Sequence, residues 1–412
     1  MRILICYPWL NLGGAPNTSI TLARGLKELG HDVYFFSKSN EIFDERFRRS
    51  GITCISAPHH SILPKLNHLN LKAYRMLCDV LDRYSIDIIH AFHYHSYLLA
   101  LFAAARRDIP VIFTGVWFLG VKYFPVYPGR VIFVAKEFKD YDRKLFRNHP
   151  HEVIILPNRV DLDEFNPNVD HSSFSAEMKL PVTGWKIAFM SRIDTNKIGS
   201  IRNAIDAMSI LALRGRNIYL AIAGEGRLFN DAKKMCEDAN RDCGREVVRL
   251  LGGITETSRF LAWSDIVLGI GRSAVEGMAS GRPTLIVGEN GLAGTVDPEQ
   301  VALLQYHNFA GRNAKTPIAP VHLADAIEEI MNNRPRYEQL AAFARKYAID
   351  NYDYRVGARR LEKIYTDSLD DPPLNRLAKM RLRWTNLLMG YGGQYLLVLR
   401  MKIREILGRD TS

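Results

Sequence analysis

Length, composition and charge limit what this chain can be. It has 412 residues, of which 47% are hydrophobic and 24% charged, with a formal net charge of +11, so it can bury more than one core and two domains are expected. Nowhere does it approach the run of ~18 to 20 apolar residues that spans a bilayer, and its first residues lack the apolar core of a signal peptide, so we expect a cytoplasmic protein.

Strands and helices alternate through the first part of the chain. The apolar stretch from Arg2 to Tyr7 predicts a strand, and it is followed by Gly13-Gly14 and an amphipathic helix that ends before Gly30. Further strands are predicted at 32–36, 87–90 and 111–114. Repeated strand–helix–strand units predict a parallel sheet.

A second series of the same kind follows a turn-rich stretch at 156–181. Its predicted strands are 186–190, 217–223, 247–251, 265–268 and 284–287, and helical patterns over 321–369 close the globular part. The fold class is therefore α/β, with two Rossmann-like, doubly wound domains facing a central cleft. We place the domains at 1–165 and 166–350, with a helix at 351–371 crossing back to the first domain and a tail at 372–412.

The segment 264–283 carries the clearest signs of a ligand site. A predicted strand ends in glycines and turns into a helix whose first turn is expected to carry Glu276. Backbone N–H groups at such a helix start, here Gly271, Arg272 and Ser273, suit a diphosphate, and Glu276 suits a ribose diol. Ser273 and Glu276 also have the spacing of a capping box, so the residues alone leave both interpretations open.

Two cations follow the first strand of the second series. Arg192 and Lys197 follow a predicted strand, where fixed positive charge could bind an anionic group. The alternative is a pair of solvated loop charges, which is the commoner fate of a single Arg or Lys.

Glycine-rich loops follow two other predicted strands. Gly224-Glu225-Gly226 is expected to begin a helix, and Gly13-Gly14 follows the first strand of the chain. Both could let the backbone approach a phosphate closely. Each is also compatible with a plain turn that uses the conformational freedom of glycine.

In this order, the motifs resemble the retaining GT-B glycosyltransferases of family four over roughly residues 1–369. The residues that carry the resemblance are Gly13-Gly14, Pro157-Asn158 with Asp161, Ser191-Arg192 with Lys197, Gly224-Glu225-Gly226, and the block from Glu276 to Pro283. The resemblance implies a GT-B enzyme that transfers a hexosyl group from a nucleotide-diphosphate sugar to an acceptor hydroxyl with retention, and that needs no metal or other cofactor. It also implies that Arg192 and Lys197 bind the donor diphosphate and that Glu276 binds the ribose.

The chain departs from the family pattern at two positions near the transferred sugar. Leu268 stands where the family usually has a first glutamate, and Val116 where it often has a histidine. No donor sugar is assigned for this reason. His90, His93 and His95 are expected at a strand end facing the cleft, where they could contact the acceptor or the sugar. A metal site is the less favoured interpretation, because no carboxylate or thiolate accompanies these histidines.

The tail is strongly basic. Residues 372–412 contain eight Lys/Arg and two acidic residues, which gives +6 of the total charge. Over 374–407, basic and apolar residues recur at helical spacing and include Trp384, which favours amphipathic helices on an anionic membrane surface. The alternative is that the apolar stripe packs on the enzyme or on a second subunit. The many leucines disfavour nucleic acid as a partner.

The leading interpretation is a glycosyltransferase of surface polysaccharide or glycolipid assembly. It would act on a glycan or lipid-linked acceptor, at the inner face of the cell membrane or in the cytoplasm. Two alternatives stay open: a sugar-nucleotide epimerase of the same two-domain architecture, and a non-catalytic homologue that binds nucleotide or glycan.

Overall fold

The chain folds into two compact units. The computed structural model describes residues 1–10, 14–38, 41–60, 70–105, 107–115, 129–141 and 152–372. The first unit contains Met1–Pro157 together with the described residues from Arg355 onward, and the second is Asn158–Tyr354. The division therefore falls a few residues before the predicted boundary at 165/166.

The first unit is built on a seven-stranded parallel sheet with the order β3-β2-β1-β4-β5-β6-β7. Its strands are β1 (Arg2–Tyr7), β2 (Asp32–Ser37), β3 (Thr53–Ser56), β4 (Ile88–Phe92), β5 (Val111–Gly115), β6 (Arg130–Phe133) and β7 (Glu152–Ile155). Its described helices are α1 (Gly14–Glu28), α2 (Glu41–Ser50), α3 (Leu71–Arg83), α4 (Tyr94–Ala104) and α5 (Lys136–Tyr141), with α14 (Tyr354–Leu369) from the end of the chain. The order of the strands reverses between β1 and β4.

Helices cover both faces of this sheet, which explains why its central strands are apolar throughout rather than alternating. Ile3, Leu4 and Ile5 in β1 are all at most 1% exposed. One face packs on α3 and α4, and the other on α1, α2 and α14, where Leu361 and Tyr365 join the core. Helix α14 thus packs on the first sheet although it lies at the far end of the sequence.

The second unit is built on a six-stranded sheet with the order β10-β9-β8-β11-β12-β13. Its strands are β8 (Trp185–Met190), β9 (Ile218–Ala223), β10 (Val248–Gly252), β11 (Ile266–Gly269), β12 (Thr284–Gly288) and β13 (Gly291–Thr295). Its helices are α6 (Ser172–Glu177), α7 (Ile198–Leu213), α8 (Phe229–Asp242), α9 (Thr257–Trp263), α10 (Arg272–Ala279), α11 (Val301–Tyr306), α12 (Pro320–Asn332) and α13 (Arg334–Tyr352). All strands are parallel except β13, which runs antiparallel to β12.

The predicted fold class, two Rossmann-like doubly wound α/β domains, is confirmed for each unit by itself. Parallel strands with helices on both faces create loop clusters at the carboxyl edge of each sheet, and the strand order reverses between β8 and β11 in the second unit. Among the described helices, none has both the length and the apolar character that a bilayer span requires. The predicted basic tail at 374–407 lies outside the described residues.

Candidate active site

The predicted site residues of the second unit meet at one edge of its sheet. Arg192 follows β8, Gly224 follows β9 and Gly271 follows β11. Strand β8 pairs with β9 on one side and with β11 on the other, so the three loops are neighbours. They lie where the strand order reverses, which is the usual ligand position in sheets of this type.

The glycine loop after β9 supports the loop after β8. A β-carbon on Gly224 would overlap the carbonyl oxygen of Ser191, and one on Gly226 would overlap that of Ile193. The Ile193 amide donates to the Glu225 carbonyl at 2.9 Å. Helix α8 begins only at Phe229, so the expectation that these glycines start a helix is wrong. Their contacts instead fix the backbone that carries Arg192.

Positive charge is concentrated between this loop and the start of α7. Arg192 has a side chain that is 53% exposed and lies 3.7 Å from the Asp194 carboxylate. Lys197 is half-buried immediately before α7. The pKa of Lys197 is lowered to about 8, mainly by burial and then by the positive charges of Arg312 and Arg192, while Glu289 opposes them. Lys197 is therefore not a solvated loop charge, and it lies in the positive field of two arginines.

Helix α10 begins differently from the capping-box prediction. Its N-cap is Gly271, with a φ of 62°, and within the described chain no side chain caps it. The Ser273 hydroxyl accepts from the Ile270 amide at 3.0 Å, so the capping-box alternative is wrong. Glu276 lies in the second turn of the helix, not in the first as expected. The Gly271 amide donates to the Phe309 carbonyl at 2.7 Å, so the expectation that this N–H group binds a diphosphate is wrong. The N–H groups that follow it in the first turn are presented without a side-chain cap, which suits an anion.

Glu276 is held by a neighbouring cation. Its Oε1 accepts from Arg272 Nε at 2.7 Å, and both side chains are at most 9% exposed. Arg272 Nη1 also donates to the Arg159 carbonyl at 2.6 Å, which ties α10 to the segment at 158–161. Arg272 therefore orients the carboxylate, and an ionised carboxylate has acceptor positions left for a further ligand.

His90 is placed differently from the prediction. Strand β4 runs on to Phe92, so His90 lies inside the sheet and is 1% exposed. Its ring nitrogens contact Tyr365 Oη at 2.7 Å and Thr114 Oγ1 at 2.6 Å, and burial lowers its pKa to about 3. The expectation that His90 faces a ligand is wrong, because both of its nitrogens are engaged within the core of the first unit.

His93 and His95 do lie just beyond the end of β4, at the start of α4. The Trp9 ring has its centroid 5.4 Å from His93, 6.2 Å from His95 and 4.8 Å from His59, on which it stacks. Burial, assisted by the charge of His95, lowers the pKa of His93 to about 4, so its ring is neutral at pH 7. Among the described residues, no group of three His, Cys, Asp or Glu is arranged to hold a metal.

Sequence reasoning missed Trp9 and Arg312, since neither belongs to a motif. The one sequence signal for Trp9 is its position two residues after β1, near the carboxyl edge of the first sheet, and Arg312 has no such signal. Of the remaining predicted positions, Gly14 begins α1, while Gly13 and Val116 lie outside the described residues.

Comparison with known proteins identifies the family. The profile described as Glycosyltransferase Family 4 matches residues 12–164, and the profile of Glycosyl transferases group 1 matches residues 171–347. No curated protein sequence matches this chain.

Solved structures share its fold. A glycosyltransferase from Rickettsia africae is 19% identical, with a TM-score of 0.68 over 90% of this chain and 99% of its own. HepE from Anabaena, in complex with UDP and glucose, is 15% identical, with a TM-score of 0.66 over 89% of this chain and 100% of its own. WaaG, a glycosyltransferase involved in lipopolysaccharide biosynthesis, is 15% identical, with a TM-score of 0.59 over 88% and 99%. Since the two profiles together account for most of the sequence, the chain belongs to the group 1 glycosyltransferases of family 4.

Proposed function

We propose that this glycosyltransferase transfers a sugar from a nucleoside-diphosphate donor to an acceptor hydroxyl, with retention at the anomeric carbon. The observation that carries the proposal is the convergence of Arg192, Lys197 and the uncapped start of α10 at the switch point of the second sheet. Cations beside a helix start suit a diphosphate, because both supply positive potential at fixed positions. HepE, which shares the fold, has been crystallised with UDP-glucose as well as with UDP.

The reaction needs charge stabilisation more than any other assistance. The acceptor oxygen bonds to the anomeric carbon, and the bond from that carbon to the phosphate oxygen breaks with its electron pair staying on the phosphate. The hydroxyl proton is released to solvent. The departing diphosphate thereby gains negative charge, which Arg192 and Lys197 are placed to stabilise. With cations and backbone amides in this role, we expect no metal requirement.

In this proposal, the Glu276 carboxylate binds the ribose of the donor. Its carboxylate is fixed by Arg272 at 2.7 Å on the helix whose start receives the diphosphate. A ribose diol beside that helix would donate to the acceptor positions that Arg272 leaves open. Nucleotide and diphosphate would thus be recognised by one helix and the loop beside it.

The acceptor belongs to the first unit in this proposal. Trp9, His93 and His95 present aromatic and polar groups at the carboxyl edge of its sheet. We further propose that the acceptor is a glycan or a lipid-linked sugar of cell-surface assembly, presented at the inner face of the membrane. The basic sequence at 374–407 supports this, as does the shared fold with WaaG, an enzyme involved in lipopolysaccharide biosynthesis.

The test compares R192Q and E276Q with the wild-type protein in a panel of UDP-, GDP- and ADP-sugars. We expect one donor to raise the unfolding temperature of the wild type and to be turned over slowly to the nucleoside diphosphate. Either substitution should lower turnover about 100-fold, because each removes a group fixed at the donor. R241Q is the matched control, since Arg241 is exposed on α8 and pairs only locally with Asp238 and Asp242 among described residues.

Wild-type turnover in R192Q would contradict the proposal. Chromatography and proton NMR of the recovered sugar nucleotide distinguish the two alternatives, because an epimer has the same mass as the donor but a different NMR spectrum. An epimerase converts the donor to an isomer without any acceptor. A non-catalytic homologue binds the donor and leaves it intact. Because Glu276 is buried against Arg272, thermal unfolding of E276Q must be measured alongside, whereas R192Q changes an exposed side chain.

A further inference from the structure

The loop at 307–313, between α11 and α12, has an unusual backbone conformation. Asn308 and Phe309 both adopt left-handed φ values, 54° and 51°, and Gly311 follows with 72°. Phe309 is buried and joins the core of the second unit. A bulky residue rarely adopts this conformation, and it persists only where the surroundings enforce it. The loop is therefore held in place by what it contacts.

Those contacts join the loop to the candidate site. The Phe309 carbonyl accepts from the Gly271 amide at 2.7 Å, at the N-cap of α10. Asn308 Oδ1 accepts from Asn158 Nδ2 at 3.3 Å. A β-carbon on Gly288, at the end of β12, would lie 2.7 Å from the Gly311 carbonyl oxygen. The loop is thus packed between the start of α10 and the end of β12.

This packing brings Arg312 to the cations already described. Beyond Gly288, the Glu289 carbonyl oxygen lies 2.6 Å from where a β-carbon on Gly199 would stand, in the first turn of α7. Backbone segments at 311–312, 288–289 and 197–199 therefore pack in series. Arg312 is half-buried at one end of the series, and Lys197 lies at the other. The electrostatics agree, since among the charges that lower the pKa of Lys197 the effect of Arg312 is the largest.

We propose that Arg312 is a third cation of the donor site and that it acts mainly on the departing nucleoside diphosphate. This inference rests on the proposed function. Arg312 and Arg192 both lower the pKa of Lys197, and the opposing effect of Glu289 is smaller than that of either arginine, so a further anion bound beside Lys197 is favoured. Cleavage of the donor leaves a diphosphate with one more negative charge than the sugar ester had. A third cation therefore stabilises the product side more than the donor, which raises turnover more than it tightens donor binding.

Arg312 has a competing structural role. Its Nη2 donates to the His307 carbonyl at 3.0 Å, and this bond could serve only to close the loop. R312K keeps a cation, whereas R312Q keeps a hydrogen-bond donor without charge. Comparing the two separates loss of charge from damage to the loop. R241Q removes one positive charge from an exposed site on α8 and is the matched control.

The experiment is a calorimetric titration of the full-length wild type, R312Q, R312K and R241Q with UDP, GDP and ADP, and with UDP-glucose, GDP-mannose and ADP-glucose. We expect R312Q to weaken binding of the preferred nucleoside diphosphate about tenfold, or ~1.4 kcal/mol. Binding of the matching sugar nucleotide should weaken no more than about threefold. R312K should lie between R312Q and the wild type, and R241Q should match the wild type. In turnover, R312Q should lower kcat more than it raises KM.

Three results would overturn the inference. The first is R312Q binding the diphosphate as the wild type does while R192Q loses it, which leaves the proposed function standing. The second is an equal loss for diphosphate and sugar nucleotide, which removes the selective action on the leaving group. The third is a loss of diphosphate affinity in R312K as large as that in R312Q. The conformation of the loop, and not the charge of Arg312, would then explain the loss. If the wild type binds none of the six ligands, the proposed function fails together with the inference.

Discussion

Single residues at the proposed donor site show a conflict between stability and ligand binding, and Lys197 shows it most clearly. Its pKa lies at about 8 in place of 10.5 because the side chain is buried beside other cations. Protonation is therefore harder in the folded than in the unfolded state. Protonation of Lys197 therefore destabilises the folded state by its full amount below about pH 8, and this destabilisation disappears above pH 10.5. Such a residue is explained by a ligand that needs its charge.

We predict that donor affinity falls as the pH rises through about 8, the value at which Lys197 loses its proton in the free protein. Each further pH unit should cost about tenfold in affinity until the pKa of the bound state is reached, because the anion is bound by the charged form. Calorimetry with UDP, GDP or ADP between pH 6.5 and pH 10 measures this. In K197M the bend near pH 8 should be absent, while K233M, an exposed lysine on α8, should keep it. A bend that survives in K197M would assign the titration to another group.

The same substitution carries a prediction about stability. K197M removes a charge that the folded state accommodates poorly, so the free energy of unfolding of the ligand-free protein should rise at pH 7, by on the order of 1 kcal/mol. Denaturant unfolding at pH 7 and above pH 10 measures it, and the gain should vanish at the higher pH. A K197M protein less stable than the wild type at pH 7 would show that packing of the lysine chain outweighs its charge.

At the scale of whole elements, one buried hydrogen-bond network joins α14 to the sheet of the first unit. His90 in β4 bridges Tyr365 in α14 and Thr114 in β5. All three side chains are buried, so loss of one partner leaves another without its hydrogen bond in a dry environment. Because the pKa of His90 falls from 6.5 to about 3 on folding, this residue also makes the folded state less stable as the pH drops below about 6.5.

We predict that Y365F lowers the free energy of unfolding of the first unit by about 1–3 kcal/mol, the cost of leaving His90 Nδ1 without a partner. Donor affinity should stay at the wild-type value, because the residues proposed to bind the donor lie in the second unit. Denaturant unfolding of Y365F, T114V and the double variant would give the coupling between the two hydrogen bonds. Additive effects in that cycle would show that His90 does not connect them.

Elements with long apolar runs could be predicted from the sequence, and shorter ones could not. Strand β1 was predicted with its observed ends, because the five consecutive apolar residues after Arg2 admit little else. Strand β3 was missed, since Thr53–Ser56 has only four residues and none of them is fully buried. Strand β13 contains two glycines, and its pairing with β12 is a tertiary contact that no local pattern reveals.

The residues of the candidate site likewise fall into those that the sequence could indicate and those that it could not. Arg192, Lys197 and Glu276 could be proposed from the sequence because each belongs to a recognisable motif close to the end of a strand or the start of a helix. Arg312 could not, because its approach to Lys197 depends on loops more than a hundred residues apart in sequence. His90 was misplaced for a local reason. The predicted strand ended two residues early, so a core residue was taken for one on the rim.

The whole molecule carries its charge unevenly. Of the net +11, +6 comes from residues 372–412, which also contain Trp384 and many leucines. Basic side chains near an anionic bilayer contribute about 1 kcal/mol each, and apolar side chains between them add to the attraction. A body that binds a donor and a tail that binds a surface would together bring the enzyme to an acceptor held in the membrane.

We predict that the full-length protein binds vesicles of phosphatidylcholine with phosphatidylglycerol, and binds phosphatidylcholine alone at least tenfold more weakly. R381Q, R383Q, R400Q and K402Q combined in one variant should lose most of this preference, as measured by vesicle flotation. The matched control removes four charges from exposed arginines of the body, by R48Q, R49Q, R241Q and R334Q. Equal losses in both variants would mean that net charge alone draws the protein to the vesicle. If the wild type binds neither kind of vesicle, we expect the basic tail to serve a protein contact instead, because a basic sequence rich in leucine should bind an anionic bilayer.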